Sequence, residues 1–195
     1  MIKKYLFMPL IVLISLCGGE ANNAEVEETT ENTENTNVEQ PALDLLVSVQ
    51  NNDLNSVNQH IAYGSDLNVQ DGTFSNTPLN FAGIYGLTEI ASALVDAGAD
   101  LNLVNNDNFT PLCNAAAWGH TSVVTILLDA GADLSAKCFE TQIGVSVTLS
   151  IAIGAPYSDY IKSLYVDHGE KYNIPYDETK IIDGREKVIE LLRSR

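Results

Sequence analysis

Basic residues are what this 195-residue chain most lacks: after Lys3 and Lys4 no lysine or arginine occurs until Lys137. Aspartate and glutamate number 26 against 10 lysines and arginines, and the formal net charge is −16. Binding along a nucleic-acid backbone needs cations that displace counterions from phosphates, so the composition argues against nucleic acid as a partner. The same charge repels anionic headgroups. With only three cysteines and no C-x-x-C, no glycine-rich nucleotide loop and no G-x-S-x-G elbow, the common redox, nucleotide and hydrolase signatures are missing. His60, His120 and His168 have no metal-ligand spacing and fall at helix ends or turns, where capping and packing are expected. No catalytic residue, metal ligand or cofactor is assigned. An enzyme assembled from scattered Asp and His residues, with His120 as its essential group, stands as a rival reading.

Long apolar runs are scarce as well. The run Tyr5–Leu16 is shorter than the about 20 residues a membrane-spanning helix needs. Placed after Lys3 and Lys4 and before Cys17-Gly18-Gly19, it has the layout of an export signal. Ile14-Ser15-Leu16-Cys17 resembles a bacterial lipoprotein signal. That resemblance implies acylation at Cys17 and a membrane-anchored envelope protein facing the periplasm or the cell surface. Cleavage nearby, for instance after Gly19, gives a soluble periplasmic or secreted protein instead. Residues 1–17 are thus read as the signal and 18–40 as a disordered acidic tether. The tether carries Glu20, Glu25, Glu27, Glu28, Glu31, Glu34 and Glu39 among Asn, Thr and Ala, too little apolar surface to offset the entropy of ordering. Glutamate repulsion extends such a spacer.

What the chain does have is a repeat. Thr77-Pro78-Leu79 through Asp96-Ala97-Gly98-Ala99-Asp100 overlays Thr110-Pro111-Leu112 through Asp129-Ala130-Gly131-Ala132-Asp133 at an offset of 33 residues. In each unit a threonine precedes a proline suited to the first helical turn, small residues follow, and a second run at helical spacing ends at a glycine. These units resemble ankyrin repeats, whose T-P-L-H-x-A opening is matched by Thr77-Pro78-Leu79-Asn80 and Thr110-Pro111-Leu112-Cys113, with Asn80 and Cys113 in the place of the usual histidine. The resemblance implies an all-α solenoid of about four helix-pair repeats over 41–195, at 41–75, 76–109, 110–143 and 144–178, closed by a capping helix at 179–195. A turn at Asp183-Gly184 is expected to precede the cap helix Arg185–Arg193.

The resemblance also implies function: a monomeric, non-catalytic scaffold that docks a protein on its concave side, made of loop tips and first helices. The matching positions are Asn76, Ile84 and Tyr85 in the second unit and Phe109, Ala117 and Trp118 in the third, with Tyr85, Phe109 and Trp118 favoured as aromatic anchors. Phe109 covering its own loop and Trp118 packing on the next unit is the competing placement, and Phe74 and Phe139 share it. Val69, Gln70, Val104, Asn105 and Lys137 complete a loop-tip strip. A dedicated immunity or protective factor for one envelope protein is an alternative of the same binding kind. Asp71-Gly72 and Asp107-Asn108 read as turns. Cys113 and Cys138 either pair in an oxidising compartment or remain separate thiols.

Overall fold

The computed structural model describes residues 39–140, 146–148, 162, 166, 169–175 and 177–195. The signal at 1–17, nearly all of the tether, the helix expected over 149–154, the insertion near Pro156-Tyr157 and most of Ile161–Val166 lie outside them.

Three helix pairs follow one another: α1 (Leu45–Gln50) with α2 (Leu54–Tyr63), α3 (Pro78–Tyr85) with α4 (Thr88–Asp96), and α5 (Pro111–Ala117) with α6 (Thr121–Asp129). The two T-P-L openings work alike. Thr77 and Thr110 are extended, and their hydroxyls accept the amides of Asn80 and Cys113 at 3.1 Å, satisfying donors that the helix start leaves unpaired. The prolines occupy the first helical turn, where no amide is needed. At the far end of each unit Gly98 and Gly131 take φ of 86° and 91° in open space, so backbone angle and not crowding selects glycine there.

Stacking makes two layers. The first helix α3 packs between α1 and α5, and the second helix α4 between α2 and α6. Second helices therefore bury one face, Ile90, Ala91 and Leu94 on α4 and Val123, Val124 and Leu127 on α6. First helices are enclosed nearly all round: every residue of Pro78–Ile84 and of 111–116 is buried, Leu79 and Leu112 among them. An asparagine ladder ties the loops together. The Asn68 side chain accepts the Asp100 amide at 2.9 Å, and Asn102, one unit on, accepts that of Asp133 at 3.0 Å. Asn80 donates to the Leu103 carbonyl and accepts from Asn114, so it joins its helix to the next loop and the next first helix.

After the third pair the regular plan changes. β1 (Lys137–Glu140) pairs antiparallel with β2 (Ser146–Thr148), a ribbon that the all-α expectation for 110–143 and 144–178 did not contain. Its second strand ends the alternating, β-branched stretch Val145-Ser146-Val147-Thr148, which favours a pleated backbone. Cys138 of β1 is disulfide-bonded to Cys113 of α5, with Cα atoms 5.3 Å apart; the pairing that the sequence left open is made.

The last helix also departs from expectation. α7 (Glu178–Arg193) starts at an Asp177 cap and runs without a break through Asp183-Gly184, where a turn was expected. Glycine inside a helix costs about 1 kcal/mol, but here α7 crosses the turn between α5 and α6 so closely that a Cβ on Gly184 would lie 2.8 Å from the Gly119 Cα. Close backbone approach, not chain reversal, is the reason for this glycine. α7 packs on α5 and α6, buries Ile181 and Val188 in the common core, and is followed by Arg195, whose guanidinium meets Asp129 at 2.8 Å. Among the described residues no helix is long and apolar enough to cross a membrane.

Candidate protein-binding face

The loop tips and first helices form the side on which a partner was expected. Gln70, Gly72, Thr73, Val104 and Asn106 of the tips are exposed. They are held in register across units: the Gln70 amide donates to the Val104 carbonyl at 3.2 Å, the Asn106 amide side chain to the Thr73 carbonyl at 3.3 Å, and the Asn106 backbone to Phe74 at 2.8 Å. Asp71 accepts the amides of Thr73, Phe74 and Asn76, which explains its place in the sequence as a turn residue. Asn108 adopts φ of 62°, as its turn requires.

The anchors expected in the helices sit deeper. Asn76 and Ile84 are fully buried, Phe109 and Trp118 are 8% and 7% exposed, and Tyr85 and Ala117 are half-buried. Asn105 is buried too, its amide donating to Asn76 at 2.8 Å, whereas Val69 is half-buried. Lys137 and Phe139 lie in β1. The described surface therefore offers the loop tips as open ground and presents the helix positions largely covered.

Part of the cover is Tyr172, which sequence reasoning did not single out. Its ring meets Phe81 edge-on at 5.0 Å between centroids and Phe74 at 5.8 Å, while Phe81 stacks on Tyr85 at 6.0 Å. Asn76 donates to the Tyr172 hydroxyl at 3.1 Å, that hydroxyl donates to Asp71 at 3.3 Å, and Tyr85 donates its own hydroxyl to the Tyr172 carbonyl at 3.2 Å. Burial raises the Tyr85 phenol to about 12. It raises Tyr172 further, with Asp71 adding to the shift and the Asn76 bond opposing it. Both phenols thus stay protonated, the form in which they can donate. The signal that was available is slight: one tyrosine in Lys171-Tyr172-Asn173-Ile174-Pro175, without helical phase.

Next to this cluster lies a cleft of about 880 Å³ between the ends of the first helices and the C-terminal segment, with Tyr85, Trp118, His120, Ile174 and Ile181 in its wall. His120 donates from Nε2 to the Ile84 carbonyl at 3.0 Å, and its ring fills the space that a side chain at Gly86 would need. Burial lowers its proton affinity, and the bond to Ile84 partly offsets this. With the carbonyl as partner, Nε2 carries the proton. His60 is similarly placed, bonded to Ser65 at 2.9 Å and the Leu43 carbonyl at 2.7 Å. Both join segments of backbone. His168 lies outside the described residues, and among those described no group of three His, Cys, Asp or Glu is placed to hold a metal ion.

No curated protein matches the chain. Residues 45–138 match the family model for ankyrin repeats in three copies, so these helix pairs are ankyrin repeats, which indicate a scaffold for protein–protein interaction.

Proposed function

We propose that this chain is an exported, lipid-anchored scaffold that holds a protein on the loop-tip side of its repeats, without chemistry of its own. The observation that carries the reading is the row of exposed loop tips, Gln70, Thr73, Val104 and Asn106, locked to one another across repeats by side-chain and backbone bonds. A surface ordered before contact loses less entropy on binding. Between Lys4 and Lys137 every formal charge is negative, so the fitting partner presents a basic surface, and attraction speeds its approach. Phe109 and Trp118 contribute by shaping the loops and helices from within. Tyr85, Asn76, Ile84 and Ala117 frame the recess beside the tips.

The anchor is read from Lys3, Lys4, the run Tyr5–Leu16 and Cys17. The Cys113–Cys138 disulfide supports export, since such bonds persist in oxidising compartments. On this reading the protein sits in a bacterial envelope as a monomer, with the glutamate-rich tether holding the repeats away from the bilayer. A protective factor for a single envelope protein is the same mode of binding with one target.

Capture from solubilised envelope with the wild-type chain and with Thr73→Arg/Val104→Arg tests the surface. The wild type is expected to retain a basic protein that high salt releases and the variant loses. Equal retention by both would place the partner elsewhere. A fatty-acid probe that labels the wild type but not Cys17→Ala tests the anchor, and label on neither would remove it.

A further inference from the structure

A stacked array is built from contacts between neighbouring units. Tyr172 breaks that order. It belongs to the chain beyond the third repeat, yet its ring and hydroxyl are held by Asp71 and Phe74 at the end of the first repeat and by Asn76 and Phe81 of the second. Stacking does not require this contact, and the contact reads the tyrosine closely: two aromatic edges for the ring, a donor from Asn76 and an acceptor on Asp71 for the hydroxyl. Phe81 shows what the recess is for, since the equivalent residue one repeat later is Asn114, a polar side chain that donates to Asn80. A phenylalanine at this point of a first helix makes an apolar floor, and Tyr172 lies on it.

We propose that this recess is a tyrosine-recognition site, occupied by the chain's own Tyr172 and taken over by an unphosphorylated tyrosine of a partner protein. The proposal rests on the scaffold reading above and names what the scaffold recognises. The adjoining cleft supplies the second feature of the motif. Ile174 and Pro175 line it from the C-terminal segment, so lifting that segment joins recess and cleft into one groove that fits a tyrosine with an apolar residue two positions on. A phosphate on the tyrosine is rejected, because it would bring about two negative charges against the Asp71 carboxylate. The resident segment acts as a competitor, and an incoming segment binds with its affinity reduced by the fraction of time the recess is open.

The test uses the full chain and a labelled peptide of its own sequence, Gly169-Glu170-Lys171-Tyr172-Asn173-Ile174-Pro175. Tyr172→Ala, which empties the recess, is expected to bind the peptide at least about tenfold more tightly than the wild type. The same peptide with alanine or phosphotyrosine at the tyrosine position is expected not to bind. Equal binding by wild type and variant, no binding to a folded variant, or indifference to the tyrosine would each overturn the proposal. Should Tyr172→Ala be unfolded alone, the titration is read by circular dichroism: helix restored by the tyrosine peptide supports the site, and helix not restored overturns it. No natural partner enters this experiment. Its failure leaves loop-tip capture standing, and failure of that capture leaves the peptide result readable.

Discussion

Cys113 is joined to Cys138 in the slot where, one repeat earlier, Asn80 donates to the carbonyl of Leu103. Asn80 and Cys113 both stand where ankyrin repeats usually carry a histidine, and both tie a first helix to the stretch of chain that follows its helix pair. A hydrogen bond in one repeat is thus a covalent bond in the next. The cross-link spans a sequence separation of 25, for which loop-closure entropy gives about 3 kcal/mol. Cys113→Ser/Cys138→Ser should lower stability by about that amount in urea unfolding, and reduction of the wild type should do the same. Indistinguishable curves for oxidised and reduced protein would show the bond absent or idle.

Leu112 is buried between repeats, and its replacement by alanine should cost about 2 to 5 kcal/mol. With so few repeats the loss should spread, so circular dichroism is expected to show one cooperative transition at lower temperature. An unchanged melting curve would count against stacking.

Gly184→Ala separates two opposing effects. Helix propensity alone predicts a gain of about 1 kcal/mol, while the approach to Gly119 predicts a loss of about 1 to 3 kcal/mol, because a methyl group would meet backbone that cannot give way. Destabilisation with detachment of α7 is expected, read by thermal melting and by hydrogen exchange at Ile181 and Val188. A raised melting temperature would mean that the two backbones do not meet.

His120 gives stability a pH dependence. Burial lowers its folded value below the ordinary 6.5, so in the window beneath 6.5 the unfolded chain binds the proton more readily. This contribution is complete above 6.5 and is lost as pH falls through the folded value. His120→Gln should flatten the slope between about pH 7.5 and about pH 5.5 in urea midpoints, whereas an equally steep slope would assign it to other groups.

The repeats were legible because their signals are local: a threonine cap, a proline in the first turn and a glycine at positive φ act within a few residues, and recur in phase. The ladder of Asn68, Asn102 and Asn80 was visible as recurrence but not as bonding, since each partner lies in another unit. Gly184 misled because a glycine that admits a neighbouring backbone looks, in sequence, like one that reverses the chain. Tyr172 was illegible for a related reason. What gives it meaning is a contact across 101 residues to Asp71, and no periodicity encodes that.

Where a partner touches the repeats decides between the loop-tip side and the rest of the surface. Photo-crosslinking residues placed at the exposed tips Gln70 and Val104, and as controls at the exposed second-helix positions Glu89 and Ser122, would read this in the intact envelope. Crosslinks to one protein from the tips and none from the second helices are predicted. Crosslinks from the second helices alone, or from neither set, would contradict the assignment of the loop-tip side as the binding face.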